Sequence, residues 1–178
     1  LAVQKVLGSS GTVAGTLQMP RTIITMLLPM AIGVWISKNS QNTWKAMGIA
    51  TLFVAIPYII LSRTTVDTSV SLYFIMLSIT GIAESFRGVS ITPAAQATLK
   101  PENLGVGTSL VNFMNTLAIL IFSAICGIAY DLNTKSDPKE VGNITAGVNS
   151  VFMIVGIVNI IGFLIVIFIV RKQMKNKK

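Results

Sequence analysis

Glu84 and Arg87 stand three residues apart in the segment GIAESFRGVSITP, residues 81–93, inside a run that is otherwise apolar. A carboxylate and a guanidinium at that spacing can meet on one face of a helix. Such a pair can take up and release a proton. Burial favours the neutral acid, a neighbouring guanidinium favours the carboxylate, and entry of water or a shift of the arginine tips the balance. The guanidinium can equally hold an organic anion on its planar fork of donors. Thr92, Pro93 and Gln96 follow on the same segment. Two other apolar runs carry polar groups: Gln18 and Arg21 beside Pro20 in one, and Thr108, Asn112, Asn115 and Thr116 in the other. The spacings of three and four in the second set place its members on one helical face.

Each group also has a plainer use. Asn112 and Asn115 can bond neighbouring helices, a contact of about 0.6 kcal/mol on average within membranes. Arg21, roughly 10 Å from the outer end of its run at 1.5 Å per residue, can snorkel to the surface. Glu84 and Arg87 lie about 20 Å from the outer end of theirs. A charge there costs about 2.5–3.5 kcal/mol even on the permissive insertion scale. A structural ion pair offsets part of this. Because such pairs seldom stabilise more than apolar packing, a task explains this one better than stability does.

Other chemistries are excluded. The chain has one cysteine, Cys126, and no histidine, so neither an internal disulfide nor a Cys/His metal site is available. No nucleophile with a nearby base and no phosphate-cradling glycine loop is visible, which argues against an enzyme, and no cofactor is expected. The net charge of +8 piles up in the terminal RKQMKNKK rather than along a stripe, so nucleic acid is not the expected partner.

The elements that must position these groups are membrane helices. Of the 178 residues 52% are hydrophobic and 11% charged, and the mean hydropathy is +0.74, outside the range of ordinary soluble domains. Crossing the hydrocarbon core takes about 20 mostly apolar residues. Runs of that kind are expected at about 14–37, 43–61, 70–99, 106–130 and 149–170, giving an all-α polytopic membrane protein of five spans. With the basic tail inside, Lys38, Lys45, Lys100, Arg171, Lys172, Lys175, Lys177 and Lys178 flank the inner side. Lys5, Arg63, Lys135 and Lys139 flank the outer side, so the bias predicts a cytoplasmic C-terminus. The chain opens on Leu1 without a signal-peptide pattern and is expected to be the C-terminal piece of a longer protein. The first, third and fourth runs hold the polar groups, whereas the second is clean apart from Pro57. The fifth has Asn159 between Gly156 and Gly162, a close-packing face. That division predicts three cavity-lining helices and two lipid-facing ones.

Three stretches carry a family likeness. VQKVLGSSGTVAGTLQMP resembles the outer loop and start of the eighth helix of major facilitator superfamily transporters. GVWISKNSQNTWKAMG resembles the second-half copy of that superfamily's cytoplasmic loop motif, keeping Gly33 and Lys38 but with Ser37 at the acidic position and Ser40 at the second glycine. A tight polar turn with inside-positive flanks is the better reading of that loop. GIAESFRGVSITPAAQATLKPENLGVGTSLVNFMNTLA is similar to the tenth helix, following loop and eleventh helix of the fourteen-span drug:proton antiporter branch. The likeness implies the last five helices of a C-terminal bundle, completed by an N-terminal bundle. It also implies that the eighth, tenth and eleventh helices line a central cavity while the ninth and twelfth lie outside.

The function implied is secondary active transport of a small organic molecule by alternating access in the plasma membrane. Glu84 is the expected proton-coupling site, with Arg21, Arg87, Gln96, Asn112 and Asn115 as substrate-binding candidates. The direction the likeness implies is proton-coupled efflux of drugs or metabolites, in which Glu84 couples; the alternative is an organic-anion uptake system, in which the arginines bind the cargo. A non-transporting receptor or assembly module is a third.

Overall fold

The computed structural model describes residues 11–39, 41–96, 99–135 and 140–176. Residues 3–10 of the first likened stretch lie outside these, as do Ser40 of the loop and Lys5, Lys139, Lys177 and Lys178 of the charge count. Among the described residues the secondary structure is helical, without strands. Five helices are long and apolar enough to cross a membrane: α1 (Met19–Ser37), α2 (Asn42–Leu61), α3 (Val70–Gln96), α4 (Leu104–Thr134) and α5 (Val141–Ile165).

The helix ends depart from hydropathy where polar residues keep the backbone helical. The first run divides into a short helix, Gly11–Thr16, and α1, so the chain breaks before Pro20 instead of kinking at it. Proline sits easily in a first turn, where its missing N–H has no intrahelical partner to lose. The fourth and fifth helices reach well into the polar segment between them. Thr134 donates to the carbonyl of Tyr130 (3.2 Å) and Asn133 to that of Ala129 (2.8 Å), so these side chains stay on the helix. The loop at the inner end of α1 is the tight polar turn its sequence indicates. Asn42 donates through its backbone to Asn39 O (2.8 Å) and through its amide to Trp35 O (2.8 Å).

α2 lies between α3 and α5, α1 packs on α3, and α4 packs on α5. The expectation of a peripheral, lipid-facing α2 needs correcting, because it is the most internal helix of the chain. Apolar surface gives no drive for association in lipid, so close packing of small residues decides which helix sits inside. Ala46, Gly48, Ala50 and Ala55 supply that face. The close-packing face of α5 is confirmed against it. A Cβ at Gly156 would lie 2.6 Å from Ile59 Cγ1, and one at Gly162 would lie 3.4 Å from Thr51 Cγ2. α4 and α3 touch sparingly, which leaves a cleft between them.

At the outer end a buried network ties three elements. Tyr73 OH donates to Thr64 Oγ1 (3.0 Å), and Asn149 donates from Nδ2 to the Thr64 carbonyl (2.7 Å), with Asn149 Oδ1 3.0 Å from Thr64 Oγ1. Asn149→Leu strands that carbonyl among buried groups and should lower stability by about 1–2 kcal/mol, read as a fall in the thermal midpoint of the purified protein. A midpoint equal to the parent's would show that the network bears no load. At the inner end Gln41 donates to the Met174 carbonyl (3.0 Å) and accepts from Trp44 Nε1 (3.1 Å), while the Arg171 guanidinium lies 5.1 Å from the Trp44 ring centroid. Between α5 and the helical tail Arg171–Asn176, residues Val166–Val170 form a π-helical turn.

Candidate functional site

The approach of α1 to α3 is set by two small residues. Gly81 leaves room for the backbone of Arg21: a Cβ there would lie 3.0 Å from both Arg21 Cα and Arg21 O. Four residues on, Ser85 is 2% exposed, and its hydroxyl is 2.9 Å from Gly81 O and 3.3 Å from Ile24 O across the interface. This places Arg21 level with Gly81, about 16 Å into α3 at 1.5 Å per residue and deeper than a count from residue 14 gives. Arg21 Nη2 therefore donates to Glu84 Oε1 at 2.5 Å, and Nη1 to Gln18 Oε1 at 3.4 Å. The partner of Glu84 is Arg21 on the neighbouring helix, not Arg87 on its own. Facing residues on two helices can align their charges directly, and the Arg87 side chain, although within reach of Glu84 at i, i+3, lines the cavity instead.

Arg87 is left facing a cavity of about 480 Å³ lined by α1, α3 and α4, through Thr25, Pro29, Glu84, Arg87, Thr92, Asn112 and Asn115 among others. No carboxylate among the described residues lies within ion-pair distance of it. The carboxamides of Asn112 and Asn115, one turn apart on α4, likewise hold no hydrogen bond among the described residues. Their neighbours Thr108 and Thr116 are satisfied by the carbonyls of Leu104 (2.7 Å) and Asn112 (3.0 Å). Three helices expected to line a cavity do so here. A second space of about 570 Å³ continues between α3 and α4 onto α2 and α5, with Tyr58 and Asn159 in its wall.

Gln96 does not join this group. It lies nine residues beyond Arg87, about 14 Å further along the helix, and donates to Thr108 Oγ1 at 2.9 Å, a tie between the inner ends of α3 and α4. Gly88, one residue beyond Arg87, has nothing within 4 Å of where its Cβ would be. It opens onto the cavity. Sequence reasoning missed Ser85, Thr25 and Pro29. Ser85 had a signal, since Gly81-x-x-x-Ser85 is the small-xxx-small spacing of membrane helix contacts. Among the described residues no group of acids, cysteines and histidines could hold a metal.

Spanning helices that turn an ion pair, a guanidinium and two amides without partners among the described residues onto one cavity define a multi-pass membrane protein with a polar interior. A model of the Major Facilitator Superfamily matches residues 1–178, and the chain belongs to that superfamily, whose members are secondary transporters and not enzymes. No curated protein and no solved structure matches it significantly.

Proposed function

We propose that the chain is the C-terminal bundle of a proton-coupled carrier of small organic molecules, set in the plasma membrane with its C-terminus in the cytoplasm and joined to an N-terminal bundle of the same protein. The ion pair from Arg21 on α1 to Glu84 on α3 carries this reading. It is the one ionised bridge between two cavity helices among the described residues, and it can be broken by a proton. With Glu84 ionised, Arg21 holds α1 against α3. When Glu84 is protonated the attraction is lost, and Gly81 and Ser85 remain as a smooth contact on which α1 can rock.

The direction of movement divides two versions. Outward exchange of drugs or metabolites for protons is supported by the likeness of α3 and α4 to the fourteen-span drug:proton branch. Co-transport of an organic anion is supported by Arg87, which faces the cavity without a carboxylate. Coupling itself is tested by Glu84→Gln in proteoliposomes of the complete carrier. Proton-driven accumulation of cargo should fall at least 100-fold while cargo self-exchange persists. Undiminished accumulation in that variant would sink the coupling role of Glu84.

A further inference from the structure

The charges around the cavity do not balance, and the imbalance has a sign. Arg21 and Arg87 contribute two positive charges, and Glu84, their only described acidic neighbour in the cavity wall, contributes one negative charge that is already bonded to Arg21. Across the cavity α4 presents the neutral amides of Asn112 and Asn115. The other ionisable group in the adjoining wall is the Tyr58 phenol of α2, and α5 adds Asn159 there. Among the described residues a single positive charge therefore remains, carried by a guanidinium with no hydrogen-bond partner there.

We infer that Arg87 is the seat of a monoanionic organic cargo, and that this anion and the Glu84 proton bind cooperatively. The inference rests on the proton-coupled reading above and names its cargo class. A carboxylate or sulfonate can accept two parallel hydrogen bonds from the guanidinium fork. Asn112 and Asn115, which offer both donors and acceptors, can receive the polar body of the molecule. While Glu84 is ionised, a doubly charged phosphate would leave an excess negative charge beside it, so a single charge is the match for the cavity before proton uptake.

Cooperativity follows from the electrostatics. Protonating Glu84 removes the negative charge nearest to Arg87 and frees Arg21, which raises the net positive charge from one to two. Anion affinity should rise on the order of tenfold for charges about 10 Å apart at an effective dielectric of about 20. Linkage is reciprocal, so a bound anion favours protonated Glu84 by the same factor. Proton and anion then occupy the cavity together and cross together, whereas an exchanger needs them to compete.

The test uses the complete carrier in detergent, with acetate, butyrate and benzoate as probes, their amides as neutral controls, and benzenesulfonate as a probe of constant charge. Stabilisation against heat reports binding. At least one anion should bind while its amide does not, Arg87→Gln should weaken binding at least 30-fold, and Arg87→Lys should recover part of it. Glu84→Gln, which removes the carboxylate charge, should bind benzenesulfonate about tenfold more tightly than the parent does. Amides binding as well as acids, or an Arg87→Gln carrier binding all probes like its parent, would overturn the inference. So would a panel without any Arg87-dependent response, or a Glu84→Gln carrier that binds benzenesulfonate no more tightly than its parent. The coupling reading fails separately: if Glu84→Gln leaves proton-driven accumulation intact while Arg87-dependent anion binding persists, the anion seat stands and the coupling role does not.

Discussion

An Arg21→Gln carrier should be strongly destabilised, and adding Glu84→Gln should restore most of what is lost. The single change leaves the Glu84 carboxylate without its 2.5 Å partner near the middle of the membrane. An unpaired charge there costs about 2.5–3.5 kcal/mol on the insertion scale. Some of that is recovered because Glu84 is 43% exposed to the cavity, where water can reach it. In the double variant a neutral amide faces a neutral amide, and stability should return to within about 1 kcal/mol of the parent without proton-driven accumulation. Thermal midpoints of the four proteins form the complete cycle. Additive losses in the two single variants, with no recovery in the double, would show that the pair is not coupled.

A larger side chain at position 81 should have a comparable effect by a different route. The Cβ of Gly81→Val would meet the Arg21 backbone at 3.0 Å, and backbone cannot swing aside as a side-chain end can. Overpacking of this kind costs about 1–3 kcal/mol. Relief comes only by moving α1 away, which also lengthens the Ser85 to Ile24 contact and the ion pair three residues below Gly81. Transport should fall at least 100-fold and the thermal midpoint should drop. Gly33→Ala on α1 itself provides the comparison, since nothing lies within 4 Å of its added carbon. Equal tolerance at the two positions would mean that α1 is not seated on Gly81.

Much of the architecture was legible without coordinates because the bilayer imposes it. Twenty apolar residues between polar stops leave the chain few alternatives, and all five spans stand where hydropathy places them. The outer ends of α4 and α5 were not legible. Asn133 and Thr134 look like loop residues by polarity, yet they bond back to their own helix and extend it. The inside position of α2 was also hidden, since an apolar span reads alike whether lipid or helix surrounds it. Gly48, Ala50 and Ala55 were the available clue.

The site divides in a similar way. Residue type picked out Glu84, Arg87, Asn112 and Asn115, which share one cavity wall. The pairing was misread because spacing along one helix is printed in the sequence, while the depth and rotation of one helix against another are not. Arg21 could be matched to Glu84 only by knowing that Gly81 receives its backbone. Gln96 shows the converse limit, for a polar residue on a cavity helix can be spent on tying that helix to its neighbour.

The π-helical turn at Val166–Val170 bears on how the basic tail is aimed. Such a turn accommodates one residue more than an α-turn does. At 3.6 residues per turn that extra residue rotates everything after it by about 100° around the helix axis. Val166 can thus stay packed against the inner face of α2 near Gly48 while Arg171, one turn later, comes to rest on Trp44. The widened turn works as a bayonet fitting between a greasy shaft and its basic collar. Its phase, rather than the count of positive charges, sets the azimuth at which the collar leaves the bundle.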